Sequence, residues 1–184
     1  DYLGEPTPYD EYWPSRSSYF GIFDLAGLPK DRYYLYRSKW NKNEDTIHLL
    51  PHWTWPGREG ETTPVYCYTN HPTAELFVNG KSQGKITKNT HVKGGSGKDG
   101  KISDANDPAI DRYRLRWNDV KYEPGELKVV VYDANGKEAG TKMIRTAGKA
   151  SAIQLTGDLG APVKDMKANG EDMTFITVNI LDKE

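Results

Sequence analysis

The sequence predicts a mainly β protein built around a β-sandwich. Over residues 46–147, short stretches of alternating apolar and polar residues are separated by turn residues, which is typical of two packed antiparallel sheets. Asn79-Gly80 and Asn135-Gly136 each join two such stretches, and Asn-Gly is the strongest short signal for a hairpin. Twelve Tyr and 18 Gly in 184 residues also favour strands and turns over a helical bundle.

Alternation inside the predicted strands identifies the residues that face the core. Residues two apart on a strand lie on the same face of the sheet, so apolar pairs at this spacing mark the inward faces. The pairs are Val65/Cys67, Leu76/Val78, Leu115/Trp117 and Val129/Val131. A further strand at 47–53 contains Pro51, which has no backbone N–H to donate, and it is therefore expected at a sheet edge.

The pattern changes on both sides of this predicted sandwich. The first 45 residues combine a loop rich in Pro and Gly with a short apolar strand and a helix near 30–40. Gly148-Lys149-Ala150 then interrupts the strand pattern, and a further apolar strand follows at 173–181. We therefore expect three segments, a loop-strand-helix segment at 1–45, a sandwich at 46–147, and the start of a truncated second β domain at 148–184.

Composition excludes several classes of function. The 25 basic and 26 acidic residues give a net charge of −1, which argues against a nucleic-acid partner bound through global positive charge. No apolar run approaches the roughly 18 residues of a spanning helix, so no membrane partner is expected. The single cysteine, Cys67, excludes an internal disulfide and suits a core position, and no sequence feature predicts a cofactor.

Oxygen-bearing residues gather in the Gly-rich segment 88–111. Asp104, Asn106 and Asp107 could contribute ligands to a hard cation such as Ca²⁺. Their spacing is not that of an EF-hand, because the Gly at the sixth position and the Glu at the twelfth are missing. A solvated acidic turn explains the same residues, so no metal site is assigned and these three remain candidates only.

Tryptophans are the better indication of a ligand. Trp53 and Trp55 are two residues apart, so in an extended chain they project to the same side, where exposed indoles could stack on the apolar face of a sugar. Trp13 and Glu5, in the loop that opens the chain, could border the same surface. Packing of both Trp53 and Trp55 in the core is an equally good interpretation, because aromatic rings carry much of the packing area of a protein.

Specific strings of the sequence resemble a known enzyme family. DYLGEPTPY at 1–9 and WPSRSSYFGIFDLAGLPKD at 13–31 resemble the end of the catalytic (β/α)8 barrel of glycoside hydrolase family 2, as found in Bacteroides-type β-galactosidases. HLLPHWTW at 48–55, VYCYTN at 65–70 and AELFVNGKSQG at 74–84 resemble the immunoglobulin-like domain that follows this barrel. Segment 1–45 would then be a barrel remnant, and 148–184 would open a further immunoglobulin-like domain.

The resemblance implies a role as a part of a larger hydrolase. The family's acid/base and nucleophile glutamates match no position of this chain, so no catalytic residue is assigned and the chain alone is expected to be inactive. In the parent enzyme it would brace the barrel, and Glu5, Trp13, Trp53 and Trp55 would border the carbohydrate-binding cleft. The alternative is a separate carbohydrate-binding or adhesive module. A periplasmic or secreted bacterial location is expected in either case.

Uncovered apolar surfaces predict a further contact. Tyr33, Tyr36 and Trp40 share one helical face and would have packed on the missing barrel. In the strand at 173–181, Met173 and Phe175 lie on one face while Ile176, Val178 and Ile180 lie on the other. We expect these surfaces to be covered either within the chain or between two copies, which would give a homodimer.

Overall fold

The computed structural model describes residues 21–24, 27–91, 108–157, 167, 169–171 and 176–183. The chain divides into two compact units, Asp1–Arg145 and Thr146–Glu184. The boundary between the units falls two residues before the expected one, and the helix belongs to the same unit as the sandwich. No helix within the described ranges combines the length and apolar character that crossing a membrane requires.

The first unit contains two antiparallel sheets that form the predicted β-sandwich. The three-stranded sheet has the order β1-β2-β5, with β1 at Ile47–Leu50, β2 at Val65–Thr69 and β5 at Leu115–Trp117. The four-stranded sheet has the order β4-β3-β6-β7, with β3 at Thr73–Val78, β4 at Lys81–Thr87, β6 at Glu126–Tyr132 and β7 at Glu138–Arg145. A 3-10 helix at Pro108–Arg112 precedes β5. Strand β4 pairs with β3 in the four-stranded sheet. In an immunoglobulin constant domain, the fourth strand belongs instead to the sheet that contains the first, second and fifth strands.

The core between the sheets contains every inward-facing pair that alternation predicts. Val65, Cys67, Leu76 and Val129 are fully buried, and the other four residues of these pairs are at most 6% exposed. The Trp117 indole Nε1 donates a hydrogen bond of 2.9 Å to the carbonyl of Gly84, which links β5 of one sheet to β4 of the other. The alternation therefore identified the faces correctly.

Both Asn-Gly hairpins are confirmed. Asn79 and Gly80 have φ angles of 48° and 79° and connect β3 to β4, because a two-residue turn that matches the strand twist needs positive φ at both positions. Gly136 has φ 79° in the turn between β6 and β7, where the Asp133 carboxylate accepts hydrogen bonds from the backbone N–H groups of Asn135 and Lys137. The strand before Pro51 lies at an edge, as predicted, but ends at Leu50.

Helix α1 spans Asp31–Trp40 and packs on β1 and β2. Its inner face is formed by Tyr34, whose ring stacks on His48 at 3.9 Å between ring centres, and by Ser38, which is 4% exposed. The face predicted to pack in a larger protein points elsewhere. Trp40 is 71% exposed and stacks on Tyr36 at 4.9 Å.

The second unit contains a two-stranded antiparallel sheet. Strand β8 at Ala152–Gly157 pairs with β9 at Ile176–Leu181, and the register places Ile153 opposite Ile180 and Leu155 opposite Val178. Opposite residues of an antiparallel pair share a face, so four apolar side chains lie together, and each is at least 60% exposed. Met173 and Phe175 lie outside the described residues.

Candidate functional site

Trp53 is a core residue of the sandwich. It is 1% exposed, and its ring lies edge-on to Tyr122 with 5.0 Å between ring centres. Its indole Nε1 donates a hydrogen bond of 3.0 Å to the carbonyl of Glu123, as a buried Trp N–H usually requires. A ring enclosed in this way has no face to offer a sugar, so the expectation of a sugar contact is corrected for Trp53.

Trp55 lies at the rim of the core and is only partly buried. Its backbone N–H donates a hydrogen bond of 3.2 Å to the Tyr122 hydroxyl, and its indole Nε1 donates one of 3.0 Å to the carbonyl of His52. The ring stacks on the exposed imidazole of His52, with 4.0 Å between centres and an interplanar angle of 26°. Two contacts, the indole hydrogen bond and the ring stack, therefore hold the Trp55 side chain in one orientation, and the backbone hydrogen bond fixes the position of the residue.

Charged groups complete the surface around Trp55. The guanidinium carbon of Arg58 lies 5.0 Å from the centre of the Trp55 ring, within the range of a cation–π interaction. Arg58 Nε also forms an ion pair of 2.8 Å with Glu61. We call His52, Trp55, Arg58 and Glu61 the Trp55 cluster. It combines aromatic surface with hydrogen-bond donors and acceptors for hydroxyl groups, which is the chemistry that a sugar needs.

The other predicted site residues lie outside the described residues. They are Glu5, Trp13, Asp104, Asn106 and Asp107. Within the part of the chain that the structure describes, no group of three or more His, Cys, Asp and Glu side chains is arranged to hold a metal ion. The Trp55 cluster is therefore the part of the predicted carbohydrate surface whose geometry can be stated.

Cys67 is inert, as its position on β2 predicts. Its side chain is fully buried in the sandwich core. Burial raises the pKa of the thiol to about 12, against an opposing contribution from the nearby Lys88 ammonium. The nucleophilic form of cysteine is the thiolate, so Cys67 is a packing residue rather than a reactive one.

A histidine–carboxylate contact that the sequence does not predict joins helix α1 to the sheet. His48 Nε2 lies 2.7 Å from a carboxylate oxygen of Asp31 in the first turn of the helix. The His48 ring also stacks on Tyr34 of the helix and contacts the ring of Tyr68 on β2, with 3.9 and 6.2 Å between ring centres. Only the pairing of β1 with β2 and the docking of α1 bring these residues together, and no local spacing indicates it.

Comparisons with known proteins show which proteins this chain resembles in sequence and in fold. Residues 60–140 match the model of a family described as a domain of unknown function (DUF4982). The chain is 44% identical over 186 aligned residues to the β-galactosidase BoGH2A of Bacteroides ovatus, a match that covers all of this chain and 18% of that enzyme. A solved structure of a glycosyl hydrolase family 2 member from Bacteroides cellulosilyticus matches with a TM-score of 0.69 and 29% identity, over 89% of this chain and 21% of that one.

The homologues of this chain are glycoside hydrolases of family 2. The resemblance seen in the sequence is thus confirmed. A β-glucuronidase of Bacteroides fragilis is 40% identical over 62 residues, which cover 34% of this chain and 9% of that protein. The chain spans about a fifth or less of the length of these family 2 relatives, and it corresponds to a small part of each.

Proposed function

We propose that this chain is a non-catalytic accessory region of a family 2 β-galactosidase that hydrolyses terminal β-galactosides. The main support for this proposal is that the whole chain aligns with only 18% of the B. ovatus β-galactosidase. The part that aligns includes a β-sandwich with one attached helix. The identity is 44% over the whole chain for this β-galactosidase, against 34% over 85% of the chain for a putative β-glucuronidase of Formosa agariphila, which favours a β-galactoside as the substrate of the parent.

The role that we propose for the helix is to brace the catalytic barrel. The His48–Asp31 contact and the Tyr34–His48 stack hold α1 against the sandwich. The outer face of α1 carries the stacked pair of Tyr36 and Trp40, of which Trp40 is exposed and Tyr36 is partly buried. An exposed aromatic surface on a firmly attached helix suits a contact with another domain, since large apolar side chains gain most from burial.

The Trp55 cluster is proposed to border the carbohydrate-binding cleft of the parent, together with Glu5 and Trp13. The held orientation of the Trp55 ring supports this role, because a preorganised aromatic surface loses little conformational entropy when a sugar stacks on it.

We also propose a periplasmic or secreted location, where the parent enzyme would meet galactosides that come from outside the cell.

The second candidate function is a separate carbohydrate-binding module. The Trp55 cluster favours it, since the cluster belongs to the sandwich and needs no contact with a barrel. The two functions differ in what the isolated chain does with a sugar. A binding module would retain galactose or a galactoside by itself, whereas an accessory region would contribute only when the rest of the cleft is present.

The deciding experiment compares the chain with the full parent enzyme. Both are incubated with chromogenic β-galactoside and β-glucuronide, and sugar binding by the chain is measured by calorimetry. We expect the parent to hydrolyse the β-galactoside and the chain neither to hydrolyse nor to bind it. Hydrolysis by the chain, abolished by Glu5→Gln, would overturn the non-catalytic assignment. Tight binding by the chain would establish the module instead, and a parent specific for the β-glucuronide would refute the proposed substrate.

A further inference from the structure

A cavity of about 200 Å³ opens where four separate segments of the first unit meet. It lies beside the last turn of helix α1, the β2–β3 connection, the residues after β4 and the 3-10 helix before β5. Four of its lining side chains are basic, namely Lys39, Lys42, Lys88 and Arg112. The described residues that line the cavity include no carboxylate. We call this cavity the basic pocket.

Lys88 lies deepest of the three lysines. Its ammonium donates a hydrogen bond to the backbone carbonyl of Thr69, which is a neutral partner. Burial lowers the pKa of Lys88 to about 8, and the charges of Lys42 and Lys39 act in the same direction, against an opposing contribution from Cys67. Lys39, Lys42 and Lys88 line the same small cavity, so their positive charges repel one another.

Arg112 brings the fourth positive charge and a free hydrogen-bond donor. Its Nε is buried and has no hydrogen-bond partner among the residues that the structure describes. Its guanidinium carbon lies 5.9 Å from the centre of the Tyr113 ring, and Lys39 Nζ lies 5.6 Å from the same ring. Because Arg112 also lines the cavity, its positive charge adds to those of the three lysines.

We propose that the basic pocket binds a small oxyanion, that is, a carboxylate, sulfate or phosphate group. Such a group accepts several charge-assisted hydrogen bonds at once and neutralises the repulsion among the four cations. The pocket is smaller than the 300–1,000 Å³ sites of drug-sized ligands, which matches a single anionic group with a small carrier.

One feature of the fold opposes an anion at this place. The pocket lies at the C-terminal end of α1, where the helix dipole places the equivalent of about half a negative charge. Four full positive charges outweigh this contribution. The net field in the pocket therefore favours an anion.

The test is a titration of the chain with inorganic phosphate at constant ionic strength, with chloride as the balancing anion. We expect a Kd of about 1 mM or tighter, with shifts of the backbone amide signals of Thr90 and Tyr113. Lys39→Gln/Lys42→Gln is the informative variant, because both side chains are exposed and contribute little to packing. Its affinity should fall by about tenfold or more, since each lost charge-assisted bond contributes substantially.

A matched control removes the same charge elsewhere. Lys137→Gln/Lys142→Gln takes two exposed lysines from β7 and the turn before it, and it should bind phosphate as the original chain does. Equal weakening in both variants would show an effect of global charge and overturn the proposal, as would the absence of binding at about 10 mM phosphate. Titrations with glucuronate and with neutral galactose distinguish a saccharide from a free anion as the source of the oxyanion. Binding of glucuronate as well as phosphate assigns the oxyanion to a saccharide, and binding of phosphate alone assigns it to a free anion.

Discussion

The side chain of Asn79 occupies the space where a side chain of residue 125 would stand. A Cβ on Gly125 would lie 2.1 Å from Asn79 Oδ1, and Gly125 has a φ of 131°. The same amide accepts a hydrogen bond of 2.8 Å from the backbone N–H of Glu126 and donates one of 3.1 Å to the carbonyl of Pro124. The first hairpin turn is thereby attached to the start of β6, which is a long-range contact within the sandwich.

Gly125→Ala should lower the free energy of unfolding by about 2–4 kcal/mol, because it combines backbone strain with the loss of the Asn79 hydrogen bonds. Denaturant unfolding measures this change. Gly136→Ala is the control, since Gly136 also has positive φ but open space around it, and it should cost about 1–2 kcal/mol. Asn79→Ala combined with Gly125→Ala should destabilise by less than the sum of the two. Strict additivity would contradict the proposed clash.

Trp117→Ala should lower the free energy of unfolding by about 3–5 kcal/mol, because it leaves a cavity between the two sheets. Trp117 is 6% exposed, and its loss also removes the hydrogen bond to Gly84. Trp40→Ala is the matched control, since Trp40 is 71% exposed, and it should change stability by only about 0.5 kcal/mol. A cost below about 1 kcal/mol for Trp117→Ala would mean that the indole does not fill the core.

Trp55→Ala in the full parent enzyme should reduce kcat/KM for a β-galactoside by about tenfold. The reason is that the variant loses the ring that stacks on the sugar, which stabilises the bound sugar by roughly 1–2 kcal/mol. The fold should be retained, which circular dichroism checks. Met143→Ala removes a large exposed side chain that belongs neither to the Trp55 cluster nor to the outer face of α1, and it should leave kcat/KM within about twofold. Unchanged kinetics in Trp55→Ala would remove the Trp55 cluster from the cleft.

Stability should depend on pH through Lys88 and Cys67 in opposite directions. The folded-state pKa of Lys88 is lowered from 10.5 to about 8, so the unfolded chain binds more protons between these values and this contribution to stability rises with pH. The folded-state pKa of Cys67 is raised from 9.0 to about 12, so the folded chain holds the extra proton and its contribution falls with pH across that range.

Variants separate the two contributions. Between pH 8 and 10.5, the free energy of unfolding should rise less with pH in Lys88→Met than in the original chain. Above pH 9, the free energy of unfolding should fall less steeply with pH in Cys67→Ala than in the original chain. Chemical denaturation at a series of pH values gives both differences. Parallel pH profiles for all three proteins would show that neither group titrates differently on folding.

The apolar face of the β8–β9 sheet should associate between copies at micromolar concentration. Ile153, Leu155, Val178 and Ile180 are each at least 60% exposed and lie on one face, and apolar surface of this kind gains from burial. Sedimentation measures the association. Ile180→Lys should return the chain to monomer, whereas Gln154→Lys changes the opposite face and should leave a dimer intact. A monomer in the original chain would contradict the expected homodimer.

Local patterns of the sequence determined the strands, both hairpins and the inward positions of the sandwich. Val65, Cys67, Leu76 and Val129 could be assigned because alternation reports which face of a strand is buried. The Asn-Gly turns could be assigned because their backbone requirement is met by adjacent residues alone. Nothing about these features depends on which distant segment they meet.

Tertiary structure alone decided where the candidate sites lie. Trp53 and Trp55 have the same spacing pattern, yet Trp53 packs against Tyr122 in the core while Trp55 remains at the rim. Helix α1 turned Tyr34 and Ser38 inward, although Tyr33, Tyr36 and Trp40 form its aromatic face.

The basic pocket also depends on tertiary contacts. It draws Lys39, Lys88 and Arg112 from three segments that are far apart in the chain. Periodicity along one strand or helix shows which side chains share a face, but it carries no information on the partner of that face. Contacts between distant segments depend on how the elements pack, and packing exists only in the folded molecule.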